Sequence, residues 1–438
     1  MLKDTFCSSP WFHIRITPTG HYDPCRWGQS DFGNRYHIST TSLLEYLNSD
    51  TMNQLRLDFL NGKQSILCQP CYYESKHNKV SGKQRQLLKS AIVESNFEKT
   101  FCASPHYKHF AYSYQNQGLS NLQPVDLQID LGNVCNSSCI MCSPRYSSRL
   151  EQEHKKLHNI IPELIPDPQK IHNWTDDPIL VDKFINDIEK SSEIKYLHFL
   201  GGETLYLKSF YDICNRLIDL GLAKNIIMGT TTNCTVYDDR IEHIIKNFKQ
   251  VHLGLSIESI GTLNDYLRWP SKIPNVLQTV EKFLAVRDTS NLQISLRITP
   301  NIFSIWHIDS LFEYMIENHI IAESCNILSD PKCLRIELLP QTLRANVSNR
   351  LDQLINKYNL IRADEIIINR RREDLIDPVI SEIIFEYKDF IDLFQEPDDS
   401  NKHRYDLVDY IKAFESIHHN NILNYLPEYE EFLRSYGY

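Results

Sequence analysis

From about residue 122 the chain alternates between short apolar runs and longer stretches in which apolar residues recur every three or four positions. Apolar runs bounded by polar or turn residues predict buried strands, and the longer spacing predicts amphipathic helices. Six runs are predicted strands: "VDLQIDL" (125–131), "IKYLHFL" (194–200), "NIIMGTTT" (225–232), "QVHLGLSI" (250–257), "LQISLRIT" (292–299) and "CLRIELL" (333–339). The helical stretches between them are 179–192, 207–222, 238–248, 273–288 and 307–320.

Strands and helices that alternate in this way predict an α/β fold with a parallel sheet and right-handed crossovers. We predict a partial (β/α)6 TIM-like barrel over residues 122–340, with its chemistry at the carboxyl ends of the strands. Residues 341–438 lose the strand pattern and predict a helical C-terminal extension. Residues 101–121 are the predicted connector to a cysteine-rich module at 1–100.

That N-terminal module is predicted to be poor in long helices. Its "WFHIRITPTGHYDPC" (11–25) predicts a β-hairpin that turns at "PTG". The stretch 39–62 has Ser and Thr caps and a terminal glycine, and therefore predicts one or two short helices.

Composition and charge argue against several classes of protein. The chain is 42% hydrophobic and 23% charged, as in soluble globular proteins, and has no apolar run of membrane-spanning length. No secretory signal is recognised at its start, so we expect a cytoplasmic protein that does not enter the membrane. A net charge of −10 makes nucleic acid an unlikely partner. The basic cluster "NRRRED" (369–374) is interpreted as a solvated helix end or turn.

Twelve cysteines in a chain without an export signal indicate metal or redox chemistry rather than disulfides. Cys135, Cys139 and Cys142 follow the first predicted barrel strand with the spacing Cys-x3-Cys-x2-Cys. Thiolates select zinc or iron–sulfur clusters, and neither a histidine nor a fourth cysteine follows closely. A cubane cluster held by three cysteines would leave one iron open to another ligand.

A second group has a full set of four cysteines. Cys7 precedes the predicted hairpin, Cys25 ends it, and Cys68 and Cys71 form a Cys-x2-Cys pair after the helical stretch. Four thiolates can complete a zinc tetrahedron or hold a cubane cluster, and the spacing does not decide between them.

The three-cysteine loop resembles the hallmark of the radical SAM superfamily. The resemblance implies a 4Fe–4S cluster whose open iron binds S-adenosylmethionine (SAM), which is reductively cleaved to a 5′-deoxyadenosyl radical that abstracts hydrogen from substrate. It also implies a cytoplasmic electron donor such as flavodoxin or ferredoxin. A purely structural zinc or cluster protein is the non-catalytic alternative.

Motifs at later strand ends extend the resemblance. Gly201, Gly202 and Glu203 match the Gly-Gly-Glu motif that contacts the SAM amino group. Asn233, Ser256 and Arg268 are implied contacts of the SAM ribose or carboxylate; Glu258 stands where the family often has Asp, and Arg297 is a further candidate. Cys234 and Cys333 are candidate hydrogen donors, but the interpretation favoured for each is a core cysteine.

The pattern Cys-x12-Gly-x4-Cys followed by Cys-x2-Cys resembles the SPASM and twitch domains of radical SAM enzymes, here placed before the barrel. This implies a second, auxiliary 4Fe–4S cluster in preference to zinc. Such enzymes act on peptides, proteins or small molecules. We predict oxidative modification of a peptide or protein, such as crosslinking, with dehydrogenation or epimerisation of a carbohydrate, nucleotide or other small molecule as the alternative.

Overall fold

The structure is a computed structural model. It describes residues 5–25, 35–69, 71–72, 112–116, 118, 122–166, 170–191, 193–322, 328, 330–362 and 378–438. The basic cluster at 369–374, Cys102, Cys325 and most of the predicted connector lie outside these residues.

The strands of the described chain are short and mostly buried. They are β1 (His13–Ile16), β2 (Tyr22–Asp23), β3 (Asp126–Asp130), β4 (Tyr196–Leu200), β5 (Ile227–Thr232), β6 (Gln250–Leu255), β7 (Leu292–Leu296) and β8 (Ile321–Ala322). The α-helices are α1 (Leu43–Leu47), α2 (Asp50–Leu60), α3 (Ser148–Ile160), α4 (Pro178–Lys190), α5 (Lys208–Asp219), α6 (Arg240–Asn247), α7 (Leu263–Leu267), α8 (Ile273–Arg287), α9 (Ile308–Glu317), α10 (Gln341–Tyr358), α11 (Pro378–Leu393), α12 (Ser400–His418) and α13 (Glu430–Ser435). None of these helices is both long and apolar enough to cross a lipid bilayer.

The chain forms two compact units. The first contains Met1–Asn133, Ile171–Thr230 and Arg240–Val251, and the second contains Val134–Lys170, Thr231–Asp239 and His252–Tyr438. The domain boundaries predicted from the sequence, at about residues 100, 121 and 340, stay predictions.

The first unit contains a sheet in the order β2-β1-β3-β4-β5. Strand β1 pairs antiparallel with β2, as the hairpin prediction requires, and parallel with β3, while β3, β4 and β5 are parallel to one another. Ile14, Ile16, Leu127 and Ile129 are fully buried, so the two paired strands share one core. The N-terminal hairpin therefore extends the barrel sheet beside its first strand.

Two short helices follow the hairpin, as the Ser and Thr caps predict. Ser42 caps α1 by accepting from the amide of Glu45, and Ser49 caps α2 by accepting from the amide of Met52. Each cap satisfies an amide that has no partner within its helix. Cys68 lies at the end of a 3-10 turn, Ile66–Cys68, shortly after α2.

In the second unit the strand order is β6-β7-β8, with β7 parallel to β8. Helices α10 to α13 occupy the predicted C-terminal extension. The fold class is confirmed: helices alternate with a mostly parallel sheet, and in the described residues the strands form an open series, consistent with a partial barrel.

The predicted sixth strand at 333–339 is wrong. This segment forms two 3-10 turns, Lys332–Leu334 and Ile336–Leu338, and among the described residues β8 is the last strand instead. Cys333, Leu334, Ile336 and Leu338 are all buried. A short buried apolar run satisfies a strand and a chain of tight turns equally, so periodicity could not separate them.

Candidate functional site

The three-cysteine loop, residues 135–142, lies in the second unit and has no helix or strand of its own. Its ends are nevertheless fixed. The Cys135 amide donates to Ser148 Oγ at 3.1 Å, and the Cys142 amide donates to the carbonyl of Cys139 at 3.0 Å. Cys139 is buried and the other two cysteines are half-buried. These bonds hold three thiols in one compact turn.

The middle of the loop pairs with the segment that follows α7. The Ser138 amide donates to the Trp269 carbonyl at 2.6 Å, and the Ile140 amide donates to the Leu267 carbonyl at 3.0 Å. The two bonds flank Cys139 in the sequence. They therefore fix the backbone on both sides of the central thiol.

Arg268 lies between those two carbonyl groups in the sequence and contacts the central thiol. Its Nη1 donates to Cys139 Sγ at 3.7 Å, and its Nη2 donates to Glu258 Oε1 at 2.5 Å. The other carboxylate oxygen of Glu258 accepts from the Thr299 amide at 2.9 Å. Burial opposes the charge of Arg268, but Glu258 and then the Cys139 thiolate outweigh it and raise the pKa of the guanidinium. The guanidinium of Arg268 therefore stays charged beside the Cys139 sulfur.

These contacts show the role of Glu258 in the site. The sequence places it where the family often has Asp, but in the structure its buried carboxylate forms an ion pair with Arg268.

Burial, and then the neighbouring Cys139, raise the pKa of the Cys142 thiol to about 12, so that a metal would displace its proton on binding.

Asn233, a predicted SAM contact, makes four hydrogen bonds within the second unit. Its Nδ2 donates to Asn136 Oδ1 at 2.8 Å and to Ser137 Oγ at 3.0 Å. Its Oδ1 accepts from the amide and the hydroxyl of Thr235. Asn233 therefore braces the loop residues that follow Cys135. Nothing in its position near the end of β5 predicts that role.

Ser256 and Arg297 are also in the second unit. Ser256 is half-buried, and its amide donates to the Thr232 carbonyl at 2.8 Å. Arg297 lies over Gly254, where an added Cβ would come within 2.4 Å of Arg297 Cγ. A cavity of about 190 Å³ is lined by Asn136, Ser137 and Thr235 and by residues 270–272, 275 and 276.

The Gly-Gly-Glu motif is in the first unit, directly after β4. Gly201 and Gly202 have φ of +108° and +42°. A Cβ on Gly201 would lie 2.4 Å from the Gly132 carbonyl oxygen, so the close approach at this glycine is to the backbone after β3. Glu203 is buried, and its Oε1 accepts from the Leu205 amide at 3.2 Å.

The four N-terminal cysteines interact electrostatically in the first unit. Burial raises the pKa of the Cys68 thiol, and the thiolates of Cys25, Cys7 and Cys71 raise it further, in that order. All four are therefore near one another, as the spacing predicts. In the described part of the chain no three Cys, His, Asp or Glu side chains are arranged around a single metal position.

The two candidate hydrogen donors are both buried in the second unit. The Cys234 thiol donates to the Thr232 carbonyl at 3.8 Å. Cys333 lies in a 3-10 turn rather than a strand, and burial, followed by the nearby Asp406 carboxylate, raises the pKa of its thiol to about 12. Both positions fit the alternative interpretation, in which each thiol fills the core.

Comparison with known families finds one matched domain around each cysteine group. The family model described as "Radical SAM superfamily" matches residues 129–294, and SPASM, described as "Iron-sulfur cluster-binding domain", matches residues 7–72. The chain therefore contains a radical SAM domain, preceded by a SPASM domain. The matched domains imply SAM, a 4Fe–4S cluster and an auxiliary iron–sulfur cluster. The predicted N-terminal placement of the SPASM domain is confirmed.

The solved structures to which the chain is similar include those of two proteins with bound ligands. SuiB of Streptococcus suis bound to S-adenosylmethionine is 18% identical over 61% of this chain and 54% of that one, with a TM-score of 0.32. SuiB bound to its precursor peptide SuiA is 16% identical over the same shares, with a TM-score of 0.34. Histidine-tagged anSMEcpe with bound AdoMet is 17% identical over 56% of this chain and 60% of that one, with a TM-score of 0.37.

The match thus spans about half the length of SuiB. No curated protein sequence matches the chain.

Proposed function

We propose that this protein is an oxidoreductase that cleaves SAM reductively and uses the resulting radical to abstract hydrogen from a peptide or protein. The observation that carries the proposal is the fixed loop of three thiols, with Arg268 donating to the sulfur of Cys139. This donor set fits a cubane cluster with one open iron, because it supplies three cysteine sulfurs, which a metal would deprotonate on binding, and a cation beside one of them. When bound, SAM would supply the 5′-deoxyadenosyl radical.

The first cluster and SAM each have proposed binding residues in this chain. Cys135, Cys139 and Cys142 would hold the first cluster, and Gly201, Gly202, Glu203 and Ser256 are the proposed SAM contacts. We assign Asn233 and Arg268 to holding the cysteine loop, because their side chains hydrogen-bond to residues of that loop. A contact of Arg268 with the SAM carboxylate is tested separately below.

Cys7, Cys25, Cys68 and Cys71 would hold the auxiliary cluster. Four thiolates fill the four irons of a cubane, so this cluster would accept an electron rather than bind substrate. An acceptor of that kind suits a net two-electron oxidation of the substrate. The SPASM match supports an iron–sulfur cluster here over zinc.

Iron content tests the cofactor assignment. Protein reconstituted under anaerobic conditions should hold about eight irons, since two cubane clusters contain four each. Changing Cys135, Cys139 and Cys142 together to Ala should leave about four irons and abolish reductive SAM cleavage, measured as 5′-deoxyadenosine. Zinc in the remaining site would contradict the auxiliary-cluster assignment, and full SAM cleavage by the triple variant would contradict the function.

Deuterium transfer tests the substrate. Candidate peptides and sugars, each deuterated at the reacting carbon, should be compared for transfer of deuterium into 5′-deoxyadenosine. Transfer from a peptide supports the proposal. Transfer only from a sugar, cyclitol or nucleotide would replace it with the small-molecule reaction.

Arg268 gives a separate prediction about the cluster. Arg268→Gln removes a cationic donor from the Cys139 sulfur, and a cationic hydrogen-bond donor favours the reduced cluster. We expect a more negative reduction potential in an EPR-monitored titration and little change in the SAM dissociation constant. The reverse pattern, with weaker SAM binding at an unchanged potential, would return Arg268 to the SAM carboxylate. Arg434→Gln is the control, because Arg434 is 62% exposed and pairs with Glu430 within the same unit.

A further inference from the structure

Helix α12 lies outside both matched family domains, yet it reaches the cysteine loop within the second unit. The Tyr410 hydroxyl donates to the carbonyl of Ile140 at 2.9 Å, and Tyr410 is 3% exposed. Ile140 directly follows the predicted ligand Cys139. A buried hydroxyl from the C-terminal extension therefore holds the loop at its centre.

A second contact comes from the last residue of the same helix. His418 Nε2 hydrogen-bonds to Glu153 Oε2 at 2.9 Å, and the Ser138 hydroxyl donates to the same oxygen at 2.5 Å. Ser138 directly precedes Cys139. His418, Glu153 and Ser138, which we call the His418 relay, thus link the end of α12 to the loop through side chains alone.

The His418 relay is packed as well as bonded. The His418 ring stacks on Trp269 with ring centres 5.1 Å apart, and the carbonyl of Trp269 accepts the Ser138 amide. Ser138 is fully buried and His418 is 5% exposed. Burial raises the pKa of Glu153, but the hydrogen bonds from His418 and Ser138 outweigh burial and lower it, so the carboxylate is ionised.

We propose that α12 is a positioning element of the cluster site: Tyr410 and His418 hold the backbone on either side of Cys139 in the conformation that retains the cluster. This inference rests on the proposed function, in which Cys135, Cys139 and Cys142 are the cluster ligands. Groups that orient metal ligands without touching the metal commonly change metal affinity by about 10–100-fold when they are removed. The C-terminal extension is then part of the radical site.

Iron release tests the proposal without relying on activity. Reconstituted full-length protein should be challenged with an iron chelator while iron release and the EPR signal of the reduced cluster are followed. His418→Leu should release about four irons on the order of 10-fold faster than the unchanged protein, and the other four at the unchanged rate. His418→Gln should release them more slowly than His418→Leu, because the amide of glutamine can still donate to Glu153.

Tyr410→Phe removes one hydroxyl and keeps the ring, so it tests the proposal even if His418→Leu does not fold. It too should accelerate release of the first four irons. His419→Asn is the matched control: His419 is the exposed neighbour of His418, and its left-handed backbone conformation accepts asparagine. It should release iron at the unchanged rate.

Two failures are distinguishable. If the triple cysteine variant still binds about eight irons, the cluster ligands are misassigned and the proposed function falls. If the triple variant loses about four irons while His418→Leu and Tyr410→Phe retain theirs at the unchanged rate, only the role of α12 is overturned.

Discussion

Arg15→Ala should destabilise the protein by about 3–5 kcal/mol, because it leaves two buried carboxylates without their cation. Arg15 Nη2 donates to Asp130 Oδ2 at 2.6 Å, and Nη1 donates to Asp23 Oδ2 at 3.3 Å. Asp23 and Asp130 are 3% and 1% exposed, so water cannot replace the lost guanidinium. The loss should appear as a lower urea midpoint in far-UV circular dichroism.

The position of this ion network gives it a functional consequence. Arg15 is on β1, the N-terminal hairpin, and Asp130 is the last residue of β3, five positions before Cys135. Breaking the network should therefore loosen the hairpin from the first barrel strand and lower iron retention. We expect the iron loss to accompany the stability loss rather than to precede it.

Arg216→Ala is the matched control in the same unit. Arg216 pairs with Asp182, but the two side chains are 41% and 62% exposed, and exposed pairs contribute about 0–1 kcal/mol. If Arg15→Ala shifts the urea midpoint no more than Arg216→Ala does, the buried network does not hold the hairpin to the barrel strand.

Much of the fold could be predicted because parallel strands buried on both faces leave continuous apolar runs in the sequence. Five of the six predicted strands contain an observed strand, and the hairpin and both N-terminal helices lie where their turn and cap residues place them. Strand β8 could not be predicted, because its two residues, Ile321 and Ala322, are too few to show a period. The run at 333–339 is longer and more apolar than β8, but it does not form a strand.

In the candidate site, too, the features that could be predicted are the local ones. Cysteine spacing and the Gly-Gly-Glu motif are local, so a single sequence shows them. The partners of the cysteine loop are not local: Glu153 and His418 are 265 residues apart, and Tyr410 and Ile140 are 270 apart. No period or spacing connects such residues. Arg268 and Asn233 could be singled out from the sequence, but which groups they contact required the structure.

Gly201→Ala should destabilise the protein before any cofactor is bound, by about 2–6 kcal/mol. Two costs add. A φ of +108° is strained for any residue with a Cβ, at about 1–3 kcal/mol, and overpacking adds about 1–3 kcal/mol. The overlap is with backbone, 2.4 Å from the Gly132 carbonyl oxygen and 2.9 Å from the amide nitrogens of Gly132 and Leu131. This backbone directly follows β3, and the Leu131 amide donates to the Leu200 carbonyl at 2.7 Å, so it cannot move aside as a side chain can.

Gly221→Ala separates the two costs. Gly221 also has a positive φ, +69°, but an added Cβ would meet nothing within 4 Å. It should therefore cost only the strain of the left-handed backbone, about 1–2 kcal/mol. Urea midpoints of the two variants, measured on protein without iron or SAM, give the steric part by difference.

The comparison decides why the motif needs its first glycine. The sequence predicts that both glycines let the backbone approach SAM, whereas the structure shows the Gly201 Cα facing the chain that leaves β3. If the iron-free Gly201→Ala protein is much less stable than Gly221→Ala, the sheet requires this glycine, and Gly202 and Glu203 remain to contact the cofactor. If both variants are equally stable and only Gly201→Ala binds SAM weakly, the motif needs this glycine so that SAM can approach the backbone. In that case the backbone after β3 must shift away from the added Cβ, which would otherwise lie 2.4 Å from the Gly132 carbonyl oxygen.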